Sequence, residues 1–240
     1  MPPRRFPYNG IKATSKKGAR HHEKAEKTHT PPASPRTGGI SPLVRLPHVP
    51  PHSRTLPAAD SGIILSITTY DGDGESTPFV KCFGHTWLSI DNRSGSPVYI
   101  KDYELRHGEQ LTFSVWAVTR LPGLLFNLEP TYISAHDRYA GRRSLSVPIE
   151  STQLKTIEEY MDRRDGWTLG KNCSYWSVHL WNALVDDAYK LKTQTLFYTP
   201  KRLERAFLEF DRVEVDKDFS RAGHIFAYRR GVRTELQLCP

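Results

Sequence analysis

The sequence predicts an α+β domain, an antiparallel sheet with helices packed on it, behind a disordered basic N-terminal tail. Three observations carry that prediction. The texture of the chain changes near residue 60, from proline and basic residues to alternating apolar ones. Short β-branched segments bounded by turn residues then follow one another up to residue 149. From 151 to 210 the apolar residues recur at helical spacing behind capping residues.

The tail comes first. Residues 1–60 hold 11 Lys/Arg against 3 Asp/Glu, a local charge of +8, which equals the formal charge of all 240 residues. The remainder is therefore neutral. The same stretch carries 11 of the 18 prolines, and "HHEKAEKTHTPPASPRTGG" has almost nothing apolar to bury. Such a segment cannot offset the entropy of ordering itself. The expected division is 1–58 as tail and 59–240 as one domain. A basic, Pro-rich tail suits nucleic acid, anionic lipid or an acidic partner, but a solvated leader is the favoured reading. It lacks the aromatic interleaving that single-strand binding uses, and the neutral body argues against specific nucleic-acid binding. No secretory apolar core and no apolar run of about 18 residues is present, so no transmembrane segment is expected. The expectation is a product made in the cytoplasm without a visible cleaved signal. Export by a system that reads an unstructured N-terminus stays open.

Within the body, "GIILSITTY" (62–70) reads as a strand that ends at the turn "DGDG". "FGHTWLSIDN" (83–92) alternates as a second strand, "NRSGSP" turns the chain, and "VYIKDY" (98–103) reads as its hairpin partner. "LTFSVWAV" (111–118) is a fourth strand. "LPGLLFNLEPTY" (121–132) is apolar but interrupted by Pro122, Gly123 and Pro130, and reads as a packed loop. "RSLSVPI" (143–149) is a fifth strand.

Three helices are expected next. Leu154, Ile157, Tyr160 and Met161 keep helical spacing after Ser151 and Thr152, either a candidate cap, and the helix is expected to stop at Gly166. A second helix begins at Asn172, a good N-cap residue, and runs to about Val185. In "TPKRLERAFLEF" Thr199 caps, Pro200 suits the first helical position, and Leu203, Ala206, Phe207 and Phe210 form the buried stripe. "RVEV" and "GHIFAYRR" then read as a closing hairpin.

Three cysteines, Cys82, Cys173 and Cys239, are too few and too scattered for a disulfide framework or a structural zinc site. "DGDGE" (71–75) starts like a calcium loop but lacks the Glu at loop position twelve. No metal or cofactor is expected.

Chemistry concentrates on Cys173. Behind an Asn172 cap it sits in the first turn of a helix, where unpaired N–H groups and the helix dipole favour a thiolate. Cysteine is also a common small core residue, so position alone leaves both readings open. A nucleophile needs a base, and His85 lies on a strand just after Gly84. His179, six residues along the helix, falls on another face. Cys82 is expected to be buried or to face away.

The order of these segments carries a resemblance. "FGHTWLSI", followed roughly ninety residues later by "KNCSYWSVHLWN", resembles the circularly permuted branch of the papain-like NlpC-type cysteine peptidases, which includes the lecithin–retinol acyltransferase-like proteins. The Asn-Cys-Ser tripeptide and "NLE" (127–129) resemble elements of that branch, and the likeness spans residues 61–210. It implies a papain-like fold with Cys173 as nucleophile and His85 as base. A third polar residue should orient His85. Asp102 is a candidate and Asp91 is expected to lie too far along the His85 strand, but Glu129 leads, with Asn127 second. Asn172, Ser174, Asn127, Trp87 and Trp176 are expected to face substrate, and Trp181 to be core. The implied reaction is amide hydrolysis in peptidoglycan stem peptides, by a lysis enzyme or an antibacterial effector. Its expected partners are a peptide or peptidoglycan substrate, a secretion apparatus and a cognate inhibitor. Two alternatives remain at this stage: a thiol acyltransferase or lipase of the same fold, and a non-catalytic binding module recruited by the basic tail.

Overall fold

The computed structural model describes residues 54–72, 84–116, 123–136, 139–163, 171–192, 198–220, 222–229 and 231–236. They belong to one compact unit, Val49–Gln237. The tail up to residue 53, the turn at 73–75, Cys82, Cys239 and the helix stop at Gly166 lie outside the described residues.

Among the described residues the chain is α+β, with one large antiparallel sheet and four α-helices. The strands are β1 (Gly62–Tyr70), β2 (His85–Arg93), β3 (Val98–Ile100), β4 (Tyr103–Leu105), β5 (Gln110–Trp116), β6 (Gly123–Phe126), β7 (Arg143–Ile149), β8 (Glu214–Val215), β9 (Phe226–Arg229) and β10 (Val232–Glu235). The helices are α1 (Leu128–His136), α2 (Ser151–Arg163), α3 (Cys173–Leu184) and α4 (Pro200–Phe207). The large sheet runs β10-β9-β6-β5-β2-β1-β7-β8, and β3 pairs only with β4.

Period-two alternation splits this sheet into two buried faces. One carries Leu65 and Ile67 of β1, Leu88 and Ile90 of β2, Leu111, Phe113 and Val115 of β5, and Leu145 and Val147 of β7. The helices α2, α3 and α4 close this main core with Ile157, Trp176, Val178, Leu180, Trp181, Leu203 and Phe207. The opposite face carries Ser66, Thr68, Ser89, Thr112, Ser114, Ser144 and Ser146, covered by α1 and by the segment before β9. A smaller cluster of Tyr70, Trp87, Tyr139 and Phe219 fills the end of that face.

Several expectations need correction. Residues 98–105 form their own hairpin around a tight turn at Lys101–Asp102, with Lys101 at φ 55°, while β2 pairs with β1 and β5. Residues 123–132, expected as part of a packed loop, are no loop: Gly123–Phe126 pairs with both β5 and β9, and α1 starts at Leu128. Pro130 is tolerated there because the N–H groups of a first turn have no intrahelical acceptor. Glu214–Val215 pairs with β7 at one edge, whereas β9 and β10 form a hairpin at the other. At the head of α2, Gln153 accepts from the Glu150 N–H at 2.7 Å, so the helix starts with a reach-back from its third residue. Residues 54–58, assigned to the tail from composition, join the body. Leu56 is buried in the main core and Arg54 pairs through its backbone with Glu209 and Asp211. No helix among the described residues is long and apolar enough to cross a membrane.

Candidate active site

The site lies where β2 and β5 part. Their ladder runs from Asp91–Gln110 to Leu88–Phe113. Beyond it the Thr86 carbonyl accepts from Ser114 Oγ at 2.8 Å and Ser177 Oγ at 3.4 Å. Its N–H points to the sulfur of Cys173. The start of α3 thus takes the place of a strand partner at the mouth of the sheet.

Asn172 builds that helix start. Its Oδ1 accepts from the Tyr175 N–H at 2.9 Å, its carbonyl accepts from Trp176, and its Nδ2 donates to the Tyr198 carbonyl at 2.8 Å. The Ser174 N–H turns to the Cys173 sulfur. Of the first four helical N–H groups, Cys173's own is left without an acceptor inside the helix. Cys173 itself is half-buried and rests against the main core. Sequence left open whether it is packing or chemistry; it rests against the core and hydrogen-bonds through its sulfur with His85.

His85 opens β2, opposite Tyr70. Gly84 is needed just before it, because a Cβ there would stand 2.4 Å from the Tyr70 carbonyl oxygen. The missing side chain lets the neighbouring backbone of Tyr70 and Asp71 approach closely. His85 Nε2 donates to Glu129 Oε1 across 3.1 Å, which leaves Nδ1 for the hydrogen bond with Cys173. Glu129 is wholly buried at the start of α1. Its Oε2 accepts from Thr112 Oγ1 at 2.7 Å, and its Oε1 also accepts from Trp116 Nε1 at 3.2 Å. The Trp116 ring packs on the His85 ring with centroids 4.1 Å apart, and Tyr132 stacks on Trp116.

The electrostatics follow from this arrangement. Burial alone would push the His85 pKa down, but the Cys173 thiolate and the Glu129 carboxyl outweigh it and raise it to about 9. Burial pushes the Cys173 thiol up. The His85 imidazolium outweighs that, aided by the Thr86 and Ser174 N–H groups, and holds it below the ordinary thiol value. Both shifts favour thiolate beside imidazolium. A doubly protonated ring also satisfies both neighbours, since each needs a donor.

Other expected residues fall elsewhere. Asn127 is buried at φ 56°, a left-handed corner that Asn tolerates. It exchanges hydrogen bonds with the Thr112 backbone and donates to the His224 carbonyl, so it fixes the corner and faces no substrate. Trp87 is fully buried in the small cluster and Trp176 in the main core, against Phe113 and Tyr160. Neither walls a cleft; Trp181 is core as expected. Ser174 is buried with its hydroxyl 2.8 Å from Thr86 Oγ1, and both polar ends of the Asn172 side chain are engaged. Asp102 is exposed in its turn, and Asp91 sits at the far end of β2 with Arg93. His179 lies among Tyr175 and Tyr198.

Sequence reasoning missed Thr112 and Trp116. The available signal was the alternation Thr112-Ser114-Trp116, a polar and aromatic edge opposite the apolar Leu111-Phe113-Val115. Among the described residues no group of three His, Cys, Asp or Glu is arranged to hold a metal ion. Comparison with protein-family models, with curated proteins and with solved structures finds no match to this chain.

Proposed function

We propose that the protein is a cysteine hydrolase of the circularly permuted NlpC type within the papain-like fold, cleaving amide bonds in peptidoglycan stem peptides. One observation carries the reading: His85 is held between the Cys173 sulfur and the buried Glu129 carboxyl. A buried structural cysteine gains nothing from such a partner, whereas a nucleophile needs it.

The geometry supports the following course. The Cys173 thiolate attacks the amide carbon, and the carbonyl electrons move onto oxygen. The Cys173 N–H, free within the helix, faces that developing charge; one such donor is worth about 3 kcal/mol. His85 gives its Nδ1 proton to the leaving nitrogen, the C–N bond breaks and a thioester remains. Neutral His85 then takes a proton from water. The resulting hydroxide adds to the thioester, and collapse expels the thiolate and releases the acid. Glu129 keeps Nε2 protonated throughout, which fixes the ring orientation, and Trp116 and Thr112 fix Glu129.

The test is digestion of purified peptidoglycan by the full chain, with the released muropeptides weighed by mass spectrometry. The expected result is paired fragments that together gain one water, absent with Cys173→Ala. Intact peptidoglycan and intact stem peptides after incubation with folded native protein would overturn the reading.

A further inference from the structure

The polar face of the sheet holds a pattern the reaction does not by itself require. Ser146 of β7, Ser66 of β1, Ser89 of β2 and Thr112 of β5 occupy one transverse row, each registered against the next. At one end Lys217, a nearly buried ammonium, donates to Ser146 Oγ at 3.3 Å. Ser146 and Ser66 share a hydrogen bond of 2.8 Å. At the other end Thr112 donates to Glu129 Oε2 at 2.7 Å. Between the two halves Ser89 Oγ is buried with no hydrogen-bond partner. A buried hydroxyl left so is costly, and this one stands between two others.

We propose that Ser89 closes this row into one hydrogen-bonded chain from Lys217 to Glu129, and that it is a positioning residue for the His85–Glu129 pair. The inference rests on the catalytic reading of that pair. Directly opposed residues on one sheet face keep their Cβ atoms about 4.5–5.5 Å apart, so rotation about one Ser89 torsion brings its oxygen within reach of Ser66 or Thr112. The ends fix the direction. An ammonium only donates, a carboxylate only accepts, and each hydroxyl does both. Every O–H along the row therefore points towards Glu129. Thr112, supplied with a proton from Ser89, commits its own to Oε2. That oxygen is then held while Oε1 serves His85 and Trp116. The row also explains four hydroxyls in a sheet interior whose other face is wholly apolar at the same registers.

The test uses the full chain with two readouts. One is the downfield proton resonance of His85 Nε2–H, assigned by its loss in His85→Asn. The other is the rate of Cys173 alkylation by iodoacetamide at pH 6. Ser89→Ala should broaden or abolish the resonance and slow alkylation roughly three- to tenfold, the factor of one hydrogen bond. Ser66→Ala should do less and Ser146→Ala least, in order along the row, while Ser89→Thr retains both signals. An unchanged resonance in Ser89→Ala overturns the proposal. So do three alanine variants whose effects follow melting temperature in place of row order. If Ser89→Ala does not fold, Ser66→Ala against Ser66→Thr decides by the same criteria. An unreactive Cys173 in the native protein would sink the catalytic reading alone, because the resonance reports the chain independently.

Discussion

The two faces of the central sheet are equally buried and chemically opposite. At neighbouring positions of the same strands, Leu88 and Phe113 face α3, while Ser89 and Thr112 face the cover formed by α1 and the segment before β9. The apolar face contributes free energy in proportion to area, about 1.5–3 kcal/mol for each fully buried large side chain. The polar face contributes far less per residue, because its hydrogen bonds replace bonds to water. What it supplies is direction: Thr112 and Trp116 donate to Glu129, and Glu129 holds the ring of His85. One face thus fixes the fold and the other fixes an orientation within it.

This contrast can be broken by mutation, and the largest effect belongs to the mouth where the faces meet. Cys173→Ala should abolish amide hydrolysis and the fast thiol labelling, with little change in melting temperature. His85→Ala should lower the hydrolysis rate by about 10²–10⁴, the usual contribution of a positioned acid–base group, measured as kcat/KM on a stem peptide.

Adjacent residues of β5 give the sharpest contrast. Phe113→Ala empties part of the main core and should cost about 3–5 kcal/mol in denaturant unfolding, with alkylation of the folded fraction unchanged. Thr112→Val keeps volume but removes a donor from Glu129 Oε2. It should cost about 1–3 kcal/mol and slow alkylation several-fold. Equal stability losses at both positions, or equal reactivity losses, would erase the distinction between the faces.

The pH profile sharpens the electrostatic side. The Cys173 pKa is lowered, so thiolate persists below the range of an ordinary thiol. His85 is raised to about 9, so imidazolium persists up to that pH and is lost above it. The anionic reagent iodoacetate should therefore alkylate fastest on a plateau and slow as pH rises through about 9. In Glu129→Gln the falling limb should move to lower pH, since one of the groups that raises His85 has lost its charge. The smallest effect is expected for Trp116→Phe. It keeps a ring against His85 but removes one donor to Glu129, and should slow alkylation only a few-fold at unchanged melting temperature.

The same contrast explains what could be read from the sequence. Strands 62–70 and 143–149 were legible to the residue because strong alternation is bounded by turn residues. The cap at Asn172 was legible because capping is local. His85, Cys173 and Glu129 were legible as residues, Glu129 through the oddity of a charge among apolar neighbours. Glu129's helix was not, because Pro130 and Gly123 mimic a loop when a first turn and a short strand absorb them. Trp87 and Trp176 are core, because nearness in sequence to His85 or Cys173 does not tell which face of a layer a ring enters. The short strand β10 escaped because a four-residue edge carries too little alternation to register. "RVEV" reads as a strand, but its expected partner is wrong, because a two-residue pairing leaves no mark of its neighbour in the sequence.

The most direct measurement is a brief pulse of limiting iodoacetamide at pH 6, read by intact mass on the native protein beside Cys173→Ala and His85→Ala. An ordinary thiol is almost fully protonated at that pH and reacts slowly. One fast adduct is expected, lost in Cys173→Ala and slowed in His85→Ala. Slow and equal labelling of Cys82, Cys173 and Cys239 would contradict it, and would leave the polar face without a thiolate to serve.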